Sequence, residues 1–381
     1  MSLLLPPNAT IGIVGGGQLG RMSALAAARL GYRCHILTQD ANDPAVQVAH
    51  GHTLGDYEDS ATLRRFAAAV DVITFEFENV SAEGLDLLAS LKPVRPSPEI
   101  LRISQNRIAE KTFLNAAGVP TAPWRAVRSL AELQHAASEL GLPAILKTAR
   151  LGYDGKGQRL LRDMADLAAA FEELSPKPLI LEGFVSFACE ISVIVARGAD
   201  GGIAAFDTVE NRHRDHILDL TLAPARVQDP VAHAAQALAR RVAEALDLVG
   251  LLAVEMFVTH DGKVLVNEIA PRPHNSGHWT IDACPASQFE LHIRAVAGLP
   301  LNEAVRHSDA VMKNLVGPEE LALWPEILAT PGLIPHHYGK SEARPGRKMG
   351  HVTRLFPRGA LPGDFGVADA LGCLATPPAH A

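Results

Sequence analysis

The sequence predicts an α/β and α+β protein with a doubly wound parallel-sheet domain, then an α+β domain, then a small C-terminal domain. Residues 10–105 alternate between strand-like and helix-like segments, which is typical of a parallel sheet covered by helices. Residues 189–297 contain longer strand-like runs, and one of them carries a hairpin signal. The 381 residues also exceed the roughly 250–300 residues at which single cores stop growing. We therefore expect domains at 1–105, 106–297 and 298–381.

The N-terminal domain is expected to contain three strands and three helices. Its strands are expected at 10–14, 33–37 and 70–77, and its helices at 18–30, 59–69 and 82–89. The middle domain begins with a helix at 106–117 and includes a small lid module at about 120–185. Further helices are expected at 230–246 and 287–297. The last twenty or so residues show no clear period and are expected to be loosely ordered.

Composition narrows the class of protein. Hydrophobic residues make up 48% of the chain, and the net charge of −7 argues against binding nucleic acid through a broad basic surface. No apolar run approaches the roughly 20 residues of a membrane span. The four cysteines are widely spaced, which indicates neither a disulfide framework nor a zinc site. These features predict a soluble cytoplasmic protein.

Two glutamates on a predicted hairpin are the strongest chemical signal. Glu255 and Glu268 lie on strand-like runs either side of an Asp-Gly pair at 261–262, which favours a two-residue turn. That turn would place Phe257 opposite Val266, and Glu255 opposite Glu268. Opposed carboxylates repel unless a cation neutralises them, and oxygen-only ligands suit Mg²⁺. The alternative is that both carboxylates simply point into water.

Two glycine-rich loops predict anion binding. Residues 15–20 follow a strand and precede a helix, and Asp40 lies where a dinucleotide-binding acid would be expected. This loop predicts a phosphate site or a NAD site, or else a tight turn without a ligand. Lys147 precedes a second loop at 152–157, so that the lysine could reach inner phosphates and the loop amides could cover outer ones. The alternative there is a mobile surface hairpin.

Three further segments carry candidate site residues. The strand at 179–185 would offer its edge to an adenine ring, with a carboxylate such as Glu182 or Glu190 for the ribose. The polar segment 267–280, stiffened by prolines, would hold donors near a transferred phosphate. The basic cluster at 340–348 is either a solvated loop or a pocket for a phosphorylated substrate.

Together these motifs resemble the ATP-grasp superfamily, and within it the enzymes that carboxylate aminoimidazole ribonucleotide in purine biosynthesis. The resemblance extends to about residue 355, and no motif follows Arg358. Its most specific segments are GGGQLGRM (15–22), FEFENV (75–80), KTARLGYDGKGQ (147–158), VENRHRDHI (209–217), NEIAPRPHNSGHWT (267–280) and RPGRKMGH (344–351). It implies an ATP-grasp fold, a homodimer, and ATP and Mg²⁺ as cofactors, with neither biotin nor NAD.

The resemblance also implies roles for individual residues. The implied ATP site consists of Arg107, Lys147, Gly152, Tyr153, Asp154, Gly155, Lys156, Gly157, Gln158, Glu182, Gly183, Phe184, Val185, Glu190, His213, Asn267 and Glu268. The implied metal ligands are Glu255 and Glu268, and the implied ribonucleotide site consists of Gln18, Leu19, Glu76, Tyr153, Lys340, Arg347 and Lys348. The implied catalytic residues are Asp154, Arg272, His274 and Asn275.

The implied reaction joins bicarbonate to aminoimidazole ribonucleotide through carboxyphosphate, and yields a carbamate, ADP and phosphate. Asp154 or His274 would accept the proton of the amine. Many superfamily members have Asn two residues after the second metal glutamate, where this chain has Ala270, so Asn267 or water is expected to fill that place. The alternatives are a formate-activating ATP-grasp enzyme, a NAD-dependent oxidoreductase and a non-catalytic ATP-binding regulator.

Overall fold

The computed structural model describes residues 4–150 and 157–374. Among these residues, seventeen strands form three sheets, and thirteen α-helices cover them. The strands are β1 (Thr10–Val14), β2 (Arg33–Thr38), β3 (Gly51–Leu54), β4 (Val72–Phe75), β5 (Trp124–Val127), β6 (Ala144–Thr148), β7 (Gln158–Leu161), β8 (Leu179–Gly183), β9 (Phe187–Arg197), β10 (Ile203–Ala205), β11 (Val209–Arg214), β12 (Ile217–Ala223), β13 (Gly250–Thr259), β14 (Val264–Ala270), β15 (Asp309–Val316), β16 (Leu333–His337) and β17 (Lys348–Phe356).

The helices lie mostly where the sequence pattern predicts them. They are α1 (Gln18–Arg29), α2 (Ser60–Ala68), α3 (Ala82–Leu91), α4 (Pro98–Ser104), α5 (Arg107–Ala116), α6 (Leu130–Leu140), α7 (Asp166–Leu174), α8 (Asp229–Ala245), α9 (Thr280–Ala283), α10 (Gln288–Ala297), α11 (Gly317–Leu321), α12 (Trp324–Ala329) and α13 (Asp364–Leu371). No helix of the described ranges is long and apolar enough to cross a membrane.

The first sheet is parallel, in the order β3-β2-β1-β4, with an apolar core on each face. Ile11 and Ile13 contribute to one core, and Val14 to the other, because alternate strand residues point to opposite faces. Helix α10 packs on this sheet through Ile293 and Val296, and so joins it to the rest of the molecule. The predicted doubly wound fold class is confirmed, although the sequence pattern missed β3 and α4.

The second sheet is small and antiparallel, in the order β5-β8-β6-β7, and α6 and α7 pack against it. It forms the lid module. The third sheet has nine strands, in the order β14-β13-β9-β11-β12-β15-β17-β16, with β10 paired to β9. The C-terminal strands thus continue the central sheet. The expectation of a loosely ordered tail is wrong for residues 364–371, which form α13 through the contact of Val367 and Leu371 with a buried cluster.

The β13–β14 hairpin does not have the predicted two-residue turn. The amide of Thr259 donates to the carbonyl of Lys263 at 2.9 Å, so three residues form the turn, and Gly262 has a φ of +80°. This shifts the pairing by one residue: Phe257 lies opposite Leu265, not opposite Val266.

A β-bulge restores the pairing of the two glutamates. Between Glu255 and Met256 the register shifts again, and Asn267 becomes the extra residue on β14. Glu255 therefore does lie opposite Glu268, as expected, but through two compensating departures from regular pairing. Both Asn267 and Glu268 are half-exposed between the buried Val266 and Ile269, which breaks the usual strand alternation.

Candidate active site

A buried ion cluster lies where the lid module meets α5 and the central sheet. Nζ of Lys147 and Oε2 of Glu182 are 2.8 Å apart, and both side chains come from the lid sheet. Nζ of Lys111, which is fully buried on α5, donates to the carbonyl oxygen of Asn267 at 2.7 Å and lies 4.0 Å from Oε1 of Glu182. Burial opposes ionisation of Glu182, but Lys147 and Lys111 hold its pKa below the usual value. Glu182 is therefore engaged by lysines and is a poor candidate for binding a ribose.

Helix α5 supplies three ionisable side chains on one face. Nη1 of Arg107 pairs with Oε2 of Glu268 at 2.9 Å, and Oε1 of Glu110 accepts a hydrogen bond of 2.6 Å from the amide of Ile269. Burial raises the pKa of Glu110, while Lys111 opposes that rise. Sequence reasoning missed Glu110 and Lys111. The available signal was their spacing of three and four residues from Arg107 on an amphipathic helix, a pattern that usually marks a solvated face.

The glutamate hairpin meets the proline-flanked segment at His274. Nε2 of His274 lies 2.9 Å from Oε1 of Glu255. Burial alone would raise the pKa of Glu255, but the adjacent His274 outweighs it and holds the pKa well below its usual range. Glu255 is therefore ionised at neutral pH. Buried Oδ1 of Asn267 has no hydrogen-bond donor among the described residues, which leaves a third oxygen beside the two glutamates.

A second histidine–glutamate pair lies on the neighbouring strands. Nδ1 of His213 on β11 lies 2.7 Å from Oε2 of Glu190 on β9. Burial lowers the pKa of His213, but the hydrogen bond and charge of Glu190 outweigh it and raise the pKa above its ordinary value. Glu190 remains partly exposed, so it is a better candidate than Glu182 for binding ribose hydroxyls.

The segment after β14 is held by side chains from other parts of the chain. Arg272 pairs with Glu78 across 3.0 Å. Asn275 and Asn314 exchange two amide hydrogen bonds of 3.0 and 2.6 Å. A chain of buried hydrogen bonds starts at Nδ1 of His274 and passes through Ser276, Ser192, Asn211 and Thr221. The bonds that follow the first are 2.8 to 3.1 Å long. Sequence reasoning did not connect these residues. This network fixes the three predicted catalytic residues of the segment in one orientation.

The first glycine loop holds an internal anion. The amides of Gly17 and Gly20 both donate to the carboxylate of Glu76, the second at 2.8 Å. Burial raises the pKa of Glu76, and these two amides oppose that rise. Two amides of the loop that the sequence pattern assigns to a phosphate thus already bind the carboxyl group of Glu76. The side chain of Leu19 packs in a small apolar cluster with Tyr338, so only its backbone is available to a ligand.

The basic loop after β16 docks on the N-terminal domain. Nε2 of Gln47 donates to the carbonyl oxygen of Gly339 at 2.7 Å, next to Lys340. Burial, followed by the nearby charge of Arg347, lowers the pKa of Lys340 to about 8, while Glu76 opposes the shift. Lys340 Nζ itself donates to the carbonyl of Lys348 at 2.7 Å. The predicted ribonucleotide residues from both ends of the chain are therefore neighbours.

Asp282, His336 and His351 form a separate cluster whose potential ligand atoms lie within 4.8 Å of one another. The rings of His336 and His351 stack at 4.4 Å with an interplanar angle of 13°. The in-plane lone pairs of two stacked rings lie in separate, nearly parallel planes, so both cannot point directly at one ion. The carboxylate of Asp282 also accepts a hydrogen bond from His336 at 2.9 Å. We interpret this cluster as a packing element.

The remaining predicted ATP-site residues belong to the second glycine loop, to the end of β8 and to the residues after it. Gly152, Tyr153, Asp154, Gly155 and Lys156 lie outside the described residues. Gly157 has a φ of +70° and its carbonyl accepts from the amide of Thr148, while Gln158 pairs with Lys147 across β6 and β7. The 183–185 segment leaves the lid sheet at the end of β8, and the ring of Phe184 is 47% exposed.

Comparison with known proteins agrees with this architecture. Three family models match in succession: the ribonucleotide synthetase preATP-grasp domain over residues 8–105, the ATP-grasp domain over 112–289, and the phosphoribosylaminoimidazole carboxylase C-terminal domain over 310–359. An N5-carboxyaminoimidazole ribonucleotide synthase of Brucella melitensis is 52% identical over 93% of this chain and 98% of its own length. That of Bacillus subtilis is 45% identical over 92% of each chain.

Solved structures agree as well. The N5-carboxyaminoimidazole synthase of Aspergillus clavatus, in complex with ADP and 5-aminoimidazole ribonucleotide, matches with a TM-score of 0.86 and 36% identity over 92% of this chain and 94% of that one. This chain therefore belongs to the N5-carboxyaminoimidazole ribonucleotide synthase family of ATP-grasp enzymes.

Proposed function

We propose that this chain carboxylates 5-aminoimidazole ribonucleotide with bicarbonate and ATP, and releases ADP and phosphate, as an ATP-dependent carbon–nitrogen ligase of purine biosynthesis. One observation carries the proposal beyond family membership. The hairpin that bears Glu255 and Glu268 runs directly into Arg272 and His274, and His274 already touches Glu255 at 2.9 Å. Groups suited to nucleotide phosphates and to a small anionic acceptor therefore meet at one point.

ATP would lie between the lid sheet and the central sheet. Lys147 is suited to contact its phosphates from the lid, and Glu190 with His213 would bind from the other wall. The donor set at the hairpin fits Mg²⁺, because it consists of two carboxylates and the unsatisfied Oδ1 of Asn267, all oxygens. Glu255 and Glu268 would hold the ion, which when bound supplies charge that offsets the phosphates.

Bicarbonate must be activated because it is a poor electrophile. We place it beside Arg272, His274 and Asn275, where one of its oxygens attacks the γ-phosphorus of ATP, and ADP leaves. Arg272 would offset the charge of the transferred group. The amine of the ribonucleotide then forms the carbon–nitrogen bond in one of two ways. It attacks the carbon of carboxyphosphate, from which phosphate departs, or it adds to the carbon dioxide that carboxyphosphate releases together with phosphate. Both ring nitrogens of His274 already have hydrogen-bonding partners, so this histidine is better placed to orient groups than to accept the amine proton. Asp154 remains the other candidate for that proton.

Isotope transfer tests this reaction directly. The purified chain is incubated with ATP, Mg²⁺, aminoimidazole ribonucleotide and ¹⁸O-labelled bicarbonate in decarbonated buffer. We expect one labelled oxygen in the released phosphate, because the attacking oxygen stays on phosphorus when the carbon–oxygen bond breaks. Formate in place of bicarbonate should give no stimulation. Phosphate release that depends on formate, or that never acquires label, would contradict the proposal.

The pH dependence of ribonucleotide affinity tests the role of Lys340. Without ligand, this lysine loses its proton as pH rises through about 8, because burial disfavours its charge. A bound phosphate favours the protonated form, so affinity is full below that pH and falls above it, by about tenfold per pH unit for a single proton. We expect the KM for the ribonucleotide to rise between pH 8 and 9.5 in the wild type.

The Lys340→Arg variant is the matched control, since a guanidinium keeps its charge over this range. Its KM should stay flat from pH 7 to 9.5. A wild-type profile as flat as that of the variant would remove Lys340 from the proposed phosphate site.

The family resemblance also supports a cytoplasmic location and a homodimer. Sedimentation equilibrium of the purified chain would test the homodimer.

A further inference from the structure

Gln288 is a fully buried residue at the start of α10, and its carboxamide forms two hydrogen bonds with the backbone of His274. Oε1 accepts a hydrogen bond from the amide of His274 at 2.9 Å, and Nε2 donates to the carbonyl oxygen of His274 at 2.7 Å. A backbone amide can only donate and a carbonyl can only accept, so the orientation of the side-chain amide is fixed. These two bonds resemble the pair of backbone hydrogen bonds that a residue of a neighbouring β-strand would form with His274.

The same carboxamide also orders the residues that follow His274. Its second N–H faces Nδ1 of His278 at 3.0 Å, and the backbone amide of Gln288 donates to Oγ1 of Thr280 at 2.9 Å. The carboxamide lies against Gly277, where a Cβ atom would come within 2.6 Å of Oε1 of Gln288. The side chain of Gln288 is therefore bonded to two residues of the 274–280 segment and packs against a third, and its backbone amide bonds a fourth.

We propose that Gln288 is a positioning residue for bicarbonate use, acting through His274. Residue 274 has an extended backbone between Pro273 and a single 3₁₀ turn at Asn275–Gly277, so Gln288 supplies the hydrogen bonds that a sheet partner would otherwise make. Those bonds set where the imidazole meets Glu255. The inference rests on the proposed function of residues 272–275 in binding bicarbonate.

The first test replaces Gln288 with an apolar residue of similar length. Gln288→Met should lower kcat/KM for bicarbonate by about 10–100-fold, since small displacements of catalytic groups have effects of this size. The affinity for ADP without Mg²⁺, for which no contact with His274 is proposed, should remain at the wild-type value in calorimetry. Gly277→Ala should give the same kinetic pattern, because its Cβ displaces the carboxamide.

Ser287→Ala is the control for stability alone. Ser287 caps α10 by accepting from the amide of Glu290, so its loss should lower Tm without touching His274. We expect normal bicarbonate kinetics in this variant. If Gln288→Met and Ser287→Ala lose the same activity at matched Tm, Gln288 is only structural and the proposal fails.

A pH signature distinguishes positioning from packing. In Gln288→Glu, a protonated carboxyl would offer one donor and one acceptor, the same two bonds to His274, whereas the ionised form offers only acceptors. Its activity relative to wild type should therefore rise as pH falls from 8 to 6, while that of Gln288→Met stays constant. The absence of this rise would overturn the proposal.

His274→Ala separates this inference from the function on which it rests. If His274→Ala loses bicarbonate kinetics and Gln288→Met does not, only the role of Gln288 is wrong. If His274→Ala leaves bicarbonate kinetics unchanged, the proposed role of the segment is wrong, and the inference about Gln288 falls with it.

Discussion

Glu268→Ala is expected to lower the rate of phosphate release by about 10³-fold or more, since a lost metal ligand removes several kcal/mol of charge stabilisation. The side chain lies opposite Glu255, beside Asn267, and it pairs with Arg107 at 2.9 Å. Its removal would take away one of the two proposed Mg²⁺ carboxylates and also leave the guanidinium without this partner. Phosphate release with all three substrates measures the effect.

A second measurement links that loss to the metal. The wild type should bind ADP more tightly with Mg²⁺ than without it, and Glu268→Ala should lose most of that difference. Glu268→Gln should behave like the alanine variant, because it keeps the size of the side chain but not the charge. Glu172→Ala, at an exposed position of α7, is the control and should remain fully active. Phosphate release at the wild-type rate in Glu268→Ala would remove Glu268 from the proposed metal site.

Lys111→Met is expected to destabilise the chain by roughly 3–5 kcal/mol, the range seen when one member of a buried ion pair is removed. Lys111 is fully buried, and its ammonium group donates to Asn267 and lies 4.0 Å from Glu182. Lys111 is one of three cationic side chains that face the carboxyl groups of this cluster, so its loss leaves the buried Glu182 with less positive charge to offset its own. Urea unfolding followed by circular dichroism measures the change, and Lys177→Met, at an exposed lysine, should have almost no effect.

A second substitution tests the charge explanation. Adding Glu110→Gln to Lys111→Met removes one carboxylate and keeps an oxygen that can accept from the amide of Ile269. We expect the double variant to be more stable than Lys111→Met alone. Equal or lower stability in the double variant would mean that packing of the lysine stem, and not charge balance, explains the loss.

The glutamate pair shows how far local sequence rules reach. The pattern of apolar residues and the Asp-Gly pair are enough to predict a hairpin, but the opposition of Glu255 to Glu268 also depends on a bulge that they do not predict. The turn type was wrong, because Gly262 fits a three-residue turn as well as a two-residue one. The bulge at Asn267 then restored the pairing, and it occurs where β14 also meets Lys111 from α5. No rule based on local sequence predicts the contact between Lys111 and β14.

The first glycine loop shows the opposite case, in which the local pattern is present but a residue distant in sequence binds the loop amides. Its spacing is the one that binds dinucleotide phosphates, and the strand–turn–helix context is present. Two of its amides instead donate to Glu76, which follows β4. Strand β4 is adjacent to β1 in the sheet. A carboxylate supplied by the chain itself satisfies the same amides that would otherwise hold a phosphate.

The sequence alone determined the fold class, the order of most helices and strands, and the residue types that an ATP-dependent carboxylation needs, because these depend on periodicity and on short motifs. Only the tertiary structure decided which charges meet. Lys111 pairs with Asn267 across 156 positions, and Gln288 binds His274 from another element. Such contacts depend on how helices dock on sheets, and burial then changes a charged helix face from a solvated surface into part of the site.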